Sequence, residues 1–197
     1  MRNQLYTVLF VALLGCLGIT VRAQTPGADF TLRVIQDGKE IDQQNGVCLL
    51  QRAPFTLVFE MTSNMPVLVN ASFRELSLEA ARRGTALNSI PGFRETGMAE
   101  GILNEDQDVM VNDAAPSYWY YDSPADHRYD SVVVRNGHYW CYRTIKKVYD
   151  VPTEQSTPLR KITTPLNLVC VTYDQAEGDD VMIERQRTWL QLRWAKP

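Results

Sequence analysis

Histidine is scarce in this chain of 197 residues: His127 and His138 are the two present, and neither stands in an H-E-x-x-H or similar metal-binding arrangement. The G-x-S-x-G elbow, the Walker loop and the G-x-G-x-x-G fingerprint are all missing, which removes the familiar nucleophile and nucleotide motifs. Cysteine is sparse too, and neither its spacing nor the supply of histidines suits zinc. The acidic loop D-Q-A-E-G-D-D (174–180) resembles a calcium loop only superficially. Ala176 stands where the third-position oxygen ligand is required, and the glycine comes one place early. No cofactor is therefore expected. Excess positive charge is absent as well: at a formal net charge of −3, nucleic acid and anionic membranes are poor candidates for the main partner. There is no internal repeat, no low-complexity tract and no second apolar run of membrane length.

The first residues do contain one apolar run. Arg2, the run Leu5 to Leu17, and Val21-Arg22-Ala23 together have the form of a signal peptide cleaved after Ala23. A second reading takes Leu13-Leu14-Gly15-Cys16 as a lipobox, with Cys16 lipidated at a membrane, although Leu14 fits that pattern poorly. Residues 24–197 then form one domain, which is long enough for a sizeable core. An exported domain retains Cys48, Cys141 and Cys170, an odd number, so one disulfide is expected. The pairing favoured is Cys141 with Cys170, because each lies mid-strand; the alternative is that all three are small buried hydrophobes.

The firmest local signal is S-V-V-V-R-N-G-H-Y-W-C-Y, residues 131–142. Asn136-Gly137 separates two β-branched and aromatic runs, and both residues accept the positive φ of a two-residue type I′ turn. Arg135 then faces His138, Val134 faces Tyr139, Val133 faces Trp140 and Val132 faces Cys141. Alternation puts Val132, Val134, Tyr139 and Cys141 on a core face, and His138, Trp140 and Tyr142 on the outward one. Further strands are expected at 30–36, 46–50, 55–61, 66–72, 108–111, 166–173 and 181–194, with a short helix at 73–83 closed by Gly84. Residues 84–116 are rich in turn formers and read as a long irregular insertion. The fold class expected is mainly β: an antiparallel β-sandwich, of which the immunoglobulin-like form is one version, carrying one short helix and that insertion. In the last strand, Leu190, Leu192 and Trp194 share one face and Arg185, Arg187, Trp189, Gln191 and Arg193 the other. That second face reads as an outward polar surface with a guanidinium stacked on Trp189, rather than as an anion or carbohydrate strip.

Eight of the 19 aromatic residues fall between Tyr118 and Tyr142. Tyr and Trp give large contact area at small entropic cost. The candidate binding residues are Trp119, Tyr121, His127, Arg128, His138, Trp140 and Tyr142. The expected function is non-catalytic binding or structural work, in the cell envelope or outside the cell, with a protein or glycan partner. Two other readings stand beside it. One is an extracellular or periplasmic hydrolase of a polymer, using His127 between Asp126 and Arg128 as acid or base. The other is an exported inhibitor or immunity-type protein. The acids Glu100, Asp122, Asp126 and Asp130 read as turn formers, and Cys48 as buried or bridged rather than nucleophilic. Asn70-Ala71-Ser72 matches the N-glycosylation acceptor pattern.

Overall fold

The computed structural model describes residues 27–65, 67–85, 108–111, 113, 119–121, 129–175 and 182–196. In chain order the elements are β1 (Phe30–Gln36), β2 (Lys39–Glu40), β3 (Val47–Leu50), β4 (Phe55–Met61), β5 (Val67–Ser72), α1 (Glu75–Arg82), β6 (Asp108–Val111), β7 (Trp119–Tyr121), β8 (Ser131–Arg135), β9 (His138–Ile145), β10 (Lys147–Asp150), β11 (Gln155–Pro158), β12 (Leu166–Gln175) and β13 (Met182–Trp194). They form three sheets. Sheet A has the order β2-β1-β4-β9-β8, sheet B the order β3-β13-β12-β5-β7, and a small sheet has the order β11-β10-β6. Pairing is antiparallel except for β3 beside β13 and β6 beside β10. The protein is thus mainly β, with antiparallel and mixed sheets and, among the described residues, one short α-helix.

Tight turns at Asn and Asp set the registers. Asp37-Gly38, Asn45-Gly46 and Asn136-Gly137 each place two successive residues at positive φ, which closes a two-residue hairpin with the strands' own twist. The last of these gives the register Arg135 to His138, Val134 to Tyr139, Val133 to Trp140 and Val132 to Cys141. Along β1 burial alternates strictly, with Phe30, Leu32, Val34 and Gln36 inside. Phe55, Leu57, Phe59 and Met61 of β4 join them, as do Cys141 and Ile145 of β9. The same continuous cluster takes in Val67, Val69, Leu166, Leu168, Cys170, Leu190 and Leu192 from sheet B. Buried Gln36 accepts from the Gln51 N–H and donates to three carbonyls, those of Gln51, Ala53 and Pro54, fastening the loop that leads into β4.

Helix α1 covers the other face of sheet B. Its Ala81 packs in a second cluster with Leu68, Val169 and Val171, bordered by Tyr173 and Trp189. This is why β12 is apolar on both faces: it lies at the centre of its sheet with packed side chains above and below.

Several expectations need correction. Cys141 and Cys170 form no disulfide; they sit in different sheets, and each is fully buried as a thiol that fills core space, as is Cys48. Burial pushes the Cys170 thiol far above its ordinary pKa, because the apolar core disfavours the thiolate. Val134 is not core but 63% exposed, since it lies on an edge strand next to the turn. The second strand of the hairpin extends beyond the expected 142 to Ile145, and β10 leaves for the small sheet. The β12–β13 register shifts between Thr172 and Tyr173, so that Arg185 of β13 is an unpaired bulge residue. The bulge sends Arg185 and Arg187, expected on one face, to opposite sides. Of the insertion expected at 84–116, all but 84–85, 108–111 and 113 lies outside the described residues.

Candidate functional site

The outer face of sheet A follows from the registers. Thr31 opposes Glu60, which opposes Trp140; Arg33 opposes Val58, which opposes Tyr142. Side chains pointing away from the core thus form two adjoining rows across β1, β4 and β9. Within them lies a charged relay. The Glu60 carboxylate is 5% exposed, accepts from Arg33 Nη2 at 2.9 Å and His138 Nδ1 at 3.0 Å, and takes a longer bond from Thr31 Oγ1 at 3.3 Å. Arg33 also reaches Glu40 at 3.4 Å, and its guanidinium carbon lies 4.8 Å from the centre of a Trp140 ring. Cation–π stacking and ion pairing therefore fix one arginine from two sides. Val58 is buried although it faces outward, because its cross-strand neighbours are the long side chains Arg33 and Tyr142. Thr56 and Thr144 share a hydroxyl hydrogen bond of 3.3 Å on the same face. The result is a surface with ordered charges and half-buried His138, Trp140 and Tyr142.

Among the residues expected to bind, His138, Trp140 and Tyr142 come together on this face. Trp119 and Tyr121 belong to β7, whose backbone pairs with Val67–Val69 of β5 in the other sheet. The side chains of those two aromatics lie outside the described residues, and so do His127 and Arg128 altogether. Sequence reasoning missed Arg33 and Glu60 as members of the site. The signal was present: each is a charged residue at an outward position of an otherwise apolar strand, Leu32-Arg33-Val34 and Phe59-Glu60-Met61.

The outer face of sheet B is built differently. The indole of Trp189 lies under Arg82 of α1, 4.6 Å from the guanidinium carbon to a ring centre, and against Gly46, where an added Cβ would come within 1.9 Å of the ring. Arg187 donates to the carbonyls of Ala81 and Thr85 at the end of α1 and pairs with Glu184 at 2.6 Å. Beneath the start of the helix, buried Gln191 donates to Asn167, and Asn167 donates to the Arg74 carbonyl. Asn70 is 1% exposed in mid-strand β5, so a glycan on it is incompatible with this packing.

A cleft of about 420 Å³ lies where the start of β1 meets β13, lined by Gly27, Asp29, Arg185, Gln186, Arg187 and Thr188. Arg185 grips both oxygens of Asp29 at 2.8 and 2.9 Å and both oxygens of Asp174 at 3.0 and 3.1 Å. Gln186 accepts from the N–H groups of Asp29 and Phe30 and donates to the Phe30 carbonyl, acting as an extra rung between the start of β1 and β13. The hydrogen bonds from Arg185 hold the Asp29 carboxyl below its usual pKa, against the opposing effect of burial, and Thr172 assists. These charges satisfy one another, and the cleft reads as a clamp between sheets. Comparison with known proteins finds no matching family model, no matching curated protein and no matching solved structure.

Proposed function

We propose that this chain is an exported, non-catalytic binding protein whose contact surface is the outer face of sheet A, with a protein or a glycan as partner. The observation that carries this reading is the preorganised group Arg33, Glu60, His138 and Trp140, set beside Tyr142 on a sheet face that no described element covers. Half-buried aromatics held by fixed charges lose little conformational freedom on binding, as a recognition surface requires. The fold that would present it is a two-layer β-sandwich, a reading supported by the single apolar cluster shared between sheets A and B. Export rests on the leader-like first 23 residues. The test is a glycan array together with capture of candidate exported partners, using the parent protein and Trp140→Ala and Tyr142→Ala variants shown by circular dichroism to be folded. Loss of binding in both variants supports the proposal. Binding that survives both substitutions overturns this surface, whether the partner is glycan or protein.

A further inference from the structure

Among the described residues, the free edges of the two large sheets belong to β2, β8, β3 and β7. A bare edge invites another strand, and proteins ordinarily blunt it with charge, proline, a bulge or brevity. β2 is blunted: it is two exposed residues, Lys39 and Glu40. β3 starts from a turn in which Gln44 folds back on Val47. β7 is three residues long, and β8 is the less protected, with its one charge, Arg135, at its end. It is the five-residue run S-V-V-V-R, with no proline, no lysine and no register shift against β9.

The hydrogen-bonding phase of β8 follows from its turn. In a two-residue hairpin the pair flanking the turn exchanges both main-chain hydrogen bonds. Arg135, Val133 and Ser131 therefore direct their N–H and C=O groups to β9, and Val132 and Val134 direct theirs away from the sheet. We infer that two copies of this chain associate through β8, antiparallel, about a two-fold axis at Val133. Val132 of each copy then exchanges hydrogen bonds with Val134 of the other, Val133 faces Val133, and Arg135 faces Ser131. Charge selects this orientation. The strand is preceded by exposed Asp130 and ends at exposed Arg135, so antiparallel pairing sets acidic end beside basic end, whereas in-register parallel pairing would set Arg135 against Arg135. Val134, 63% exposed in the single chain, gains an apolar neighbour.

The two A sheets then become one ten-stranded sheet, five strands from each copy. The β9 strands lie three spacings apart, about 14 Å, with both Trp140 rings on the same face. If that face binds as proposed above, it does so bivalently, but the association itself does not depend on the binding proposal.

Sedimentation equilibrium of the purified protein tests the association. A dimer is expected, and Val133→Glu and Val133→Lys should each weaken it by at least about tenfold through like charges opposed at the axis. Mixing the two variants should restore it, because Glu then faces Lys. Val133→Cys should form an intermolecular disulfide under mild oxidation, since directly opposite residues in a pair without hydrogen bonds lie close enough to bridge. If the Val133 substitutions disturb the fold, Val134→Lys at the exposed position should weaken the dimer in their place, because it replaces the apolar contact with Val132 of the other copy by a charge. A protein that stays monomeric overturns the inference and leaves the edge to a strand from a different protein. A dimer indifferent to these substitutions, or one not rescued by mixing, overturns it as well.

Discussion

The outer faces of the two large sheets carry the same pair of side chains in different settings. On sheet A, Arg33 stacks on Trp140; on sheet B, Arg82 stacks on Trp189. The distances are nearly equal, yet the surroundings assign opposite roles. Trp189 is wedged between a helix and Gly46 and belongs to a packed cluster, so its ring holds α1 on the sheet. Trp140 lies in β9 beneath Arg33 of its own sheet, and that arginine is held by Glu60 of the strand between them. Among the described residues, one stacked tryptophan therefore fastens a helix to its sheet, and the other ties together strands of a single sheet.

Truncating the two rings is the strongest way to break this comparison. Trp189→Ala should cost about 3 kcal/mol, as a large ring is removed from a site packed between helix and sheet, whereas Trp140→Ala should cost less, about 1–2 kcal/mol, because its half-buried ring lies against Arg33, whose guanidinium can turn toward water. Urea midpoints at constant m-value measure both. Equal losses would erase the distinction. Gly46→Ala comes next, at about 2 kcal/mol, because the new methyl group meets the Trp189 ring and the backbone there has φ +72°. Made on the Trp189→Ala background the same change should cost clearly less, with only the backbone strain left. A full additive cost would mean that the ring does not press on Gly46.

Sheet A has its own internal test. Glu60→Gln keeps the shape of the side chain but removes the charge shared by Arg33 and His138, and should destabilise by about 1–2 kcal/mol. The loss is smaller than for Trp189 because both partners can turn toward water. If the variant is as stable as the parent, the relay does not organise this face.

What the chain revealed in advance and what it concealed follow a common logic. The Asn136-Gly137 hairpin was legible because a local rule ties two residues to one turn geometry, and the register then follows without tertiary knowledge. The alternation of Phe30, Leu32 and Val34, and the central place of β12, were legible for similar reasons. The bulge at Arg185 was not, because nothing in E-R-Q-R marks an extra residue: it arises from pairing with Thr172 and Tyr173, far away in the chain. The expected Cys141–Cys170 bridge failed in the same way, since cysteine count and strand position carry no information about which sheet each thiol enters. Arg33 and Glu60 were readable as outward residues, but their meeting with Trp140 and His138 depends on three strands being in register at once.

The smallest expected effect concerns the seam rather than either face. Asp29 stands at the head of sheet A and is gripped by Arg185 from sheet B, with a carboxyl 10% exposed. Its pKa is lowered in the folded protein, chiefly by those hydrogen bonds, so folding favours the ionised form. The stabilisation is complete above the unfolded carboxyl's pKa of about 4 and fades as the pH falls through the lower folded value. Asp29→Asn should thus lower the urea midpoint at neutral pH and converge with the parent in acid. The difference should be modest, because Arg185 is open to water and screened by salt. A gap that stayed constant from neutral to strongly acid conditions would mean that Gln186 and the backbone rungs hold the seam, and that the ion pair only decorates it.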